Sequence, residues 1–148
     1  MRRYSTYGHQ AVTSPTDSVL GVTSAATIRP AIYDLILGSL ATPADNAIQV
    51  LAQRYTAAGT GDSVTPVALD SGDPASLAAS SVNHTVEPTY TANAILLDIP
   101  LNQRSTQRWV ASPGGELKMP ATAANGIGIQ PVHASFTGEF TCTAHFFE

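Results

Sequence analysis

The chain has 148 residues, enough for one domain with its own hydrophobic core. Only 12% of its residues are charged and the net charge is −4, which argues against a general nucleic-acid binder, since neutralising phosphates needs a basic patch. No apolar run approaches the ~20 residues of a membrane-spanning helix, and a single cysteine, Cys142, leaves no intramolecular disulfide framework or thiolate metal site.

Residues 1–17, "MRRYSTYGHQAVTSPTD", show no hydrophobic period and read as an extended N-terminal arm. Its basic pair Arg2 and Arg3, with Tyr4, suits a segment laid across a partner. From residue 18 to 148 the chain reads as a single β-sandwich domain. "VLGVTS" is a short strand candidate, and "TIRPAIYDLILGSL" is a longer one in which Ala31, Tyr33, Leu35 and Leu37 share a face by alternation.

The segment "TPADNAIQVLAQRYTAAG", residues 42–59, supports two readings. Ala44, Ala47, Ile48, Leu51, Ala52 and Tyr55 follow helical spacing, with Thr42 as N-cap, Pro43 in the first turn and Gly59 as a stop. As a strand, Ile48, Val50 and Ala52 share one face. Local pattern favours helix slightly; the surrounding all-β pattern favours strand, and strand is the expectation.

"NAILLDIPL", "TQRWVAS", "GIGIQPV" and "EFTCTAHFF" complete the strand candidates. "TPADN", "AAGTGDS", "DSGDP", "SPGG" and "AANG" supply turn chemistry between them. Strands at this spacing predict an all-β fold, an antiparallel jelly-roll-like β-sandwich. Cys142 falls in an alternating stretch, as expected of a buried structural thiol.

Catalytic and metal chemistry leave few marks. His9, His84, His133 and His145 are scattered, with no pair spaced to aim two imidazoles at one metal. Asp62, Asp70 and Asp73 sit among turn formers and read as backbone caps rather than calcium ligands. There is no Gly-x-Ser-x-Gly elbow and no phosphate loop. No catalytic residue, metal or cofactor is expected, and an enzyme is the least supported class.

The segment "QRSTQRWVASPGGE" carries the only tryptophan and two of the seven basic residues. Arg104, Arg108 and Trp109 suit a stacking site for a glycan or base, or an interface hot spot; in the plainest reading Trp109 is core and the arginines are solvated. Alternation puts Arg108 and Val110 on one face and Gln107, Trp109 and Ala111 on the other. A regular strand therefore cannot aim Arg108 and Trp109 at one ligand. "SPGG" is expected to join this strand to "ELKMP" as a hairpin.

Taken in order, "GSLATPADNAIQV", "QRYTAAGTGDSVTPVALDSGDPAS", "EPTYT" and "LNQRSTQRWVASPGGELKMPATAANGIGI" resemble the capsid decoration, or cement, proteins of tailed bacteriophages. The resemblance spans residues 27–148 and leaves out the arm. It implies a jelly-roll-like homotrimer on the capsid exterior of a virion, whose partners are the major capsid protein and its own copies, with no nucleic acid and no membrane. On this reading Arg2, Arg3, Tyr4, Arg104, Arg108 and Trp109 are the contact candidates. Removing residues 1–10 should leave a folded oligomer that attaches weakly. A glycan-binding adhesin and a minor head–tail or neck component are the alternatives.

Overall fold

The protein is described from a computed structural model, which covers residues 1–132, 136 and 138–148. Twelve strands run in chain order: β1 (Arg3–Ala11), β2 (Leu20–Thr23), β3 (Ala31–Leu40), β4 (Ala47–Ala57), β5 (Thr60–Val64), β6 (Val67–Ala68), β7 (Ala79–Val86), β8 (Thr89–Asn102), β9 (Gln107–Val110), β10 (Leu117–Lys118), β11 (Gly126–Val132) and β12 (Glu139–Phe147). The described residues contain no helix.

Two antiparallel sheets pack face to face. In the first, β1, β12 and β3 are consecutive neighbours and β9 and β10 pair with the free side of β3; in the second the order is β2, β11, β4, β8. The chain crosses between sheets at every step from β1 to β4 and again from β8 to β9 and from β10 through β11 to β12. This interleaving is the double Greek key of a jelly roll. The β4–β8 connection adds three strands: β6 extends the first sheet beyond β1, and β7 and β5 extend the second beyond β2.

Between the sheets lies a continuous core that includes Leu20, Ile32, Leu37, Val50, Ile129 and Phe140. Residues 47–57 form a strand, and Ile48, Val50 and Ala52 all face that core. Their period of two matches the half-buried sheet, and once β8 and β11 supply hydrogen bonds on both sides, helical propensity no longer decides. Cys142 is fully buried, which pushes its thiol pKa up and keeps it protonated.

Four sequence expectations need correction. Residues 3–11 are not a free arm: β1 pairs along its whole length with β12, from Arg3 opposite Phe147 to Ala11 opposite Glu139, and is flanked by β6 on its other side. Tyr4 is completely buried, stacked on Phe146 with ring centroids 5.5 Å apart. The polar residues that obscured the period alternate outward (Arg3, Ser5, Tyr7, His9), while Tyr4, Thr6 and Gly8 face in.

Second, Tyr33 does not join Leu35 and Leu37. Asp34 lies opposite His145 and Ile32 opposite Phe146, so Tyr33 is an extra residue, a β-bulge that reverses the alternation. Ile32 takes the core position instead. Third, β9 and β10 do not form a hairpin. Both lie antiparallel to β3, β9 against Asp34–Leu37 and β10 against Ala31–Ile32, so they are two parts of one interrupted edge strand. The "SPGG" loop leaves that edge and returns to it, closed by the Gly115 amide donating to the Ser112 carbonyl at 2.8 Å. Pro113 has no amide to offer the ladder, so looping out costs little. Fourth, Thr60–Ser63 of "AAGTGDS" belong to β5 rather than to a turn.

The outer face of the second sheet is covered by its own side chains. Tyr55 shares a 2.7 Å hydrogen bond with the Thr23 hydroxyl, and its ring meets Tyr90 edge-on. Burial pushes the Tyr55 phenol up to about 12. The rings lie over Gly126 and Gly128, where the absence of a side chain makes room. Tyr90 donates to Ser18 Oγ at 2.8 Å, Ser18 in turn donates to the Glu87 carboxylate, and His84 Nδ1 donates to the Ser18 carbonyl at 3.0 Å. This network ties the entry to β2 onto the β7–β8 connection.

Candidate interaction surface

The outer face of the first sheet is covered only in part. The bulge at Tyr33 brings Tyr33 and Asp34 to it, beside His145 and Phe147 of β12 and Arg108 of β9. Asp34 is the centre of the cluster. Arg108 grips it with two hydrogen bonds, Nε to Oδ1 at 2.9 Å and an Nη to Oδ2 at 2.7 Å, and His145 Nδ1 donates to Oδ2 at 3.1 Å. Such a planar fork is the geometry in which an Arg–carboxylate pair is strongest.

The Asp34 side chain is only 3% exposed while that of Arg108 is 61% exposed, so the pair presents its cation and hides its anion. The Arg108 guanidinium holds the Asp34 carboxyl below the ordinary carboxylate range, against burial, which pushes it up; His145 adds to the lowering. Arg3 lies over the Tyr33 ring at 5.8 Å, and Tyr33 stacks on Phe147.

Beyond Arg3 the face turns apolar. Ser5 pairs with Val67, and the Leu69 amide donates to the Arg3 carbonyl, which sets Val67 and Leu69 beside the outward residues of β1. Tyr7, Val67 and Leu69 are 61%, 66% and 52% exposed. Exposed apolar side chains grouped in this way, next to cations, make this face the candidate surface for contact with another protein.

The six residues singled out in the sequence are dispersed. Arg3 and Arg108 reach this face. Trp109 points inward, opposite Leu35, and packs against the core, as strand alternation required. Tyr4 is interior and is not available for contact. Arg2 exchanges backbone hydrogen bonds with Glu148, at 3.2 and 3.1 Å, and so extends the β1–β12 ladder. Arg104 lies in the β8–β9 turn, its Nε donating to the Pro43 carbonyl at 3.3 Å and an Nη 3.9 Å from Asp45.

No protein family, no curated protein and no solved structure matches the chain.

Asp34, His145 and Tyr33 were missed in the sequence because only the bulge brings them together. A lone aspartate within the apolar run "AIYDLIL" was the available signal, since a charge is rarely buried without a partner. Among the described residues no three His, Cys, Asp or Glu side chains gather to hold a metal, and His133 lies outside those residues. Asp70 is a turn former here: its carboxylate accepts the Gly72 amide at 2.9 Å.

The cluster makes stability depend on pH in one direction. Because the folded Asp34 carboxyl ionises more readily than an unfolded one, its contribution is full above about pH 4. It is lost as pH falls through the lower folded value. Arg108→Ala leaves the carboxylate with His145 alone, and the acid-unfolding midpoint moves to higher pH. Asp34→Ala costs about 2 kcal/mol at neutral pH and abolishes that shift when combined with Arg108→Ala. Circular dichroism across pH 2–7 on both single variants and the double variant checks each outcome.

Proposed function

We propose that this chain is a non-catalytic structural protein that decorates a bacteriophage capsid, binding its outer surface as a homotrimer. The observation that carries the reading is the exposed apolar part of the outer face of the first sheet. There Tyr7, Val67 and Leu69 are exposed in a chain that is sparingly charged throughout. The jelly-roll order agrees with what the sequence resemblance implies, although one fold serves many functions and is weak support alone.

A decoration protein stabilises because it binds the assembled lattice and not the free subunit, by mass action. Three copies acting together multiply weak single contacts through effective concentration. The pairing of Arg108 with buried Asp34 fixes one cation rigidly on the face, which lowers the entropy lost when it docks. The adhesin alternative is weakened, because Arg108 and Trp109 lie on opposite faces of β9 and cannot hold one sugar between them.

Tyr7→Glu combined with Val67→Glu should leave a folded protein and reduce co-sedimentation with purified capsids at least tenfold. Light scattering on the same variant separates two contacts. If the trimer persists while capsid binding is lost, the patch meets the capsid; loss of the trimer makes the patch the subunit interface. Undiminished capsid binding by an intact trimer would remove this face from the proposal.

A further inference from the structure

Three of the seven lysine and arginine residues line a single hollow of about 270 Å³. Arg29 comes from the connection before β3, Arg54 from β4 and Lys118 from β10, and Tyr55, Thr56, Thr91, Pro120, Asn125 and Gly126 complete the wall. No acidic side chain is among the lining residues. In a chain of net charge −4, such a concentration runs against the overall balance.

The hollow is built rather than incidental. Arg54 is half-buried, and an Nη donates to the Lys118 carbonyl at 2.7 Å, which fixes the guanidinium at the wall and joins β4 to β10 across the two sheets. Lys118 Nζ is paired with Glu116 Oε2 at 3.5 Å, and Glu116 is not among the lining residues. Glu116 offsets Lys118, and the guanidiniums of Arg29 and Arg54 remain as the excess positive charge at the hollow. Like charges held around a concave, partly apolar wall raise the local potential and favour a counter-charge from outside. The hydroxyls of Thr56 and Thr91 and the amide of Asn125 add neutral hydrogen-bonding groups around it.

We propose that this hollow binds a tetrahedral dianion, a phosphate or sulfate group. Three cations arriving from three segments match a doubly charged ligand with several acceptor oxygens better than a planar, singly charged carboxylate, which one arginine fork satisfies. The volume lies just below the ~300–1,000 Å³ of drug-sized sites, so it takes the anion with at most a small substituent. The hollow is separate from the apolar face of the first sheet, and its occupancy does not depend on capsid attachment.

The test is a titration of the isotope-labelled protein, followed through the amide resonances of Thr56, Asn125 and Gly126. Inorganic phosphate and sulfate should shift them saturably, while chloride at matched ionic strength does not. Arg29→Ala with Arg54→Gln should weaken binding at least tenfold, and Arg29→Glu, which alters only an exposed residue, should abolish it even if Arg54→Gln disturbs the fold. Glucose 6-phosphate binding tighter than inorganic phosphate would mark an esterified ligand, and equal binding a free anion; both uphold the site. Malonate binding as tightly as phosphate, or equal phosphate binding by wild type and Arg29→Glu, would overturn it.

Discussion

Deletion of residues 1–11 should yield a chain that does not fold, and not a folded protein with weakened attachments. β1 lies inside the first sheet, with β12 on one side and β6 on the other. Its loss strips every ladder bond from one side of β12, uncovers Phe146 and leaves β6 without a partner. Tyr4 alone fills a fully buried site, and truncating a buried aromatic costs about 3–5 kcal/mol. Total stability for a domain is only about 5–15 kcal/mol, so losing the whole strand exceeds what remains. Tyr4→Ala should therefore fold with a melting temperature roughly 6–20 °C lower, taking 2–4 °C per kcal/mol at this size. Calorimetry on Tyr4→Ala and circular dichroism on the deletion check both. A cooperative melt of the deletion at the wild-type temperature would mean that β1 is dispensable.

Gly126→Ala should destabilise by about 3 kcal/mol, the upper part of the range for overpacking. A Cβ at this position overlaps the Val22 carbonyl oxygen and the Tyr55 ring together. The carbonyl belongs to β2 and cannot move without breaking its ladder with β11; the ring is held by its hydrogen bond to Thr23 and by Tyr90. Gly114→Ala is the contrasting case. Its φ of +85° disfavours a side chain, yet nothing lies within 4 Å of an added Cβ. The expected cost is about 1 kcal/mol, from backbone conformation alone. Urea unfolding of the two variants gives both values, and similar losses would show that the Tyr55 cover yields easily.

Both effects are invisible in a linear reading for the same reason. Gly126 looks like one of several turn-associated glycines, and only the approach of Tyr55 from β4 gives it a packing role. The first residues looked like an arm because Ser, Thr and Gly occupy so much of β1, and Tyr4 gave too small an apolar signal to establish a period. Its meaning depends on Phe146, which is 142 positions away in the chain and adjacent in the sheet.

What the sequence by itself determined is the class of the fold and much of its punctuation. Period-two alternation and turn residues are local properties, and they located β11 and β12 to the residue, placed β3, β4 and β9 within larger segments, caught residues 93–101 of the longer β8, and put Arg108 and Trp109 on opposite faces. The tertiary structure alone decided which strands are neighbours, that β9 and β10 share an edge, and that a bulge turns Tyr33 and Asp34 outward to meet His145 and Arg108. It alone gathered Arg29, Arg54 and Lys118 around one hollow. Backbone pairing in a jelly roll joins residues far apart in sequence, so each of these positions acquires its partners from strands that no local window contains.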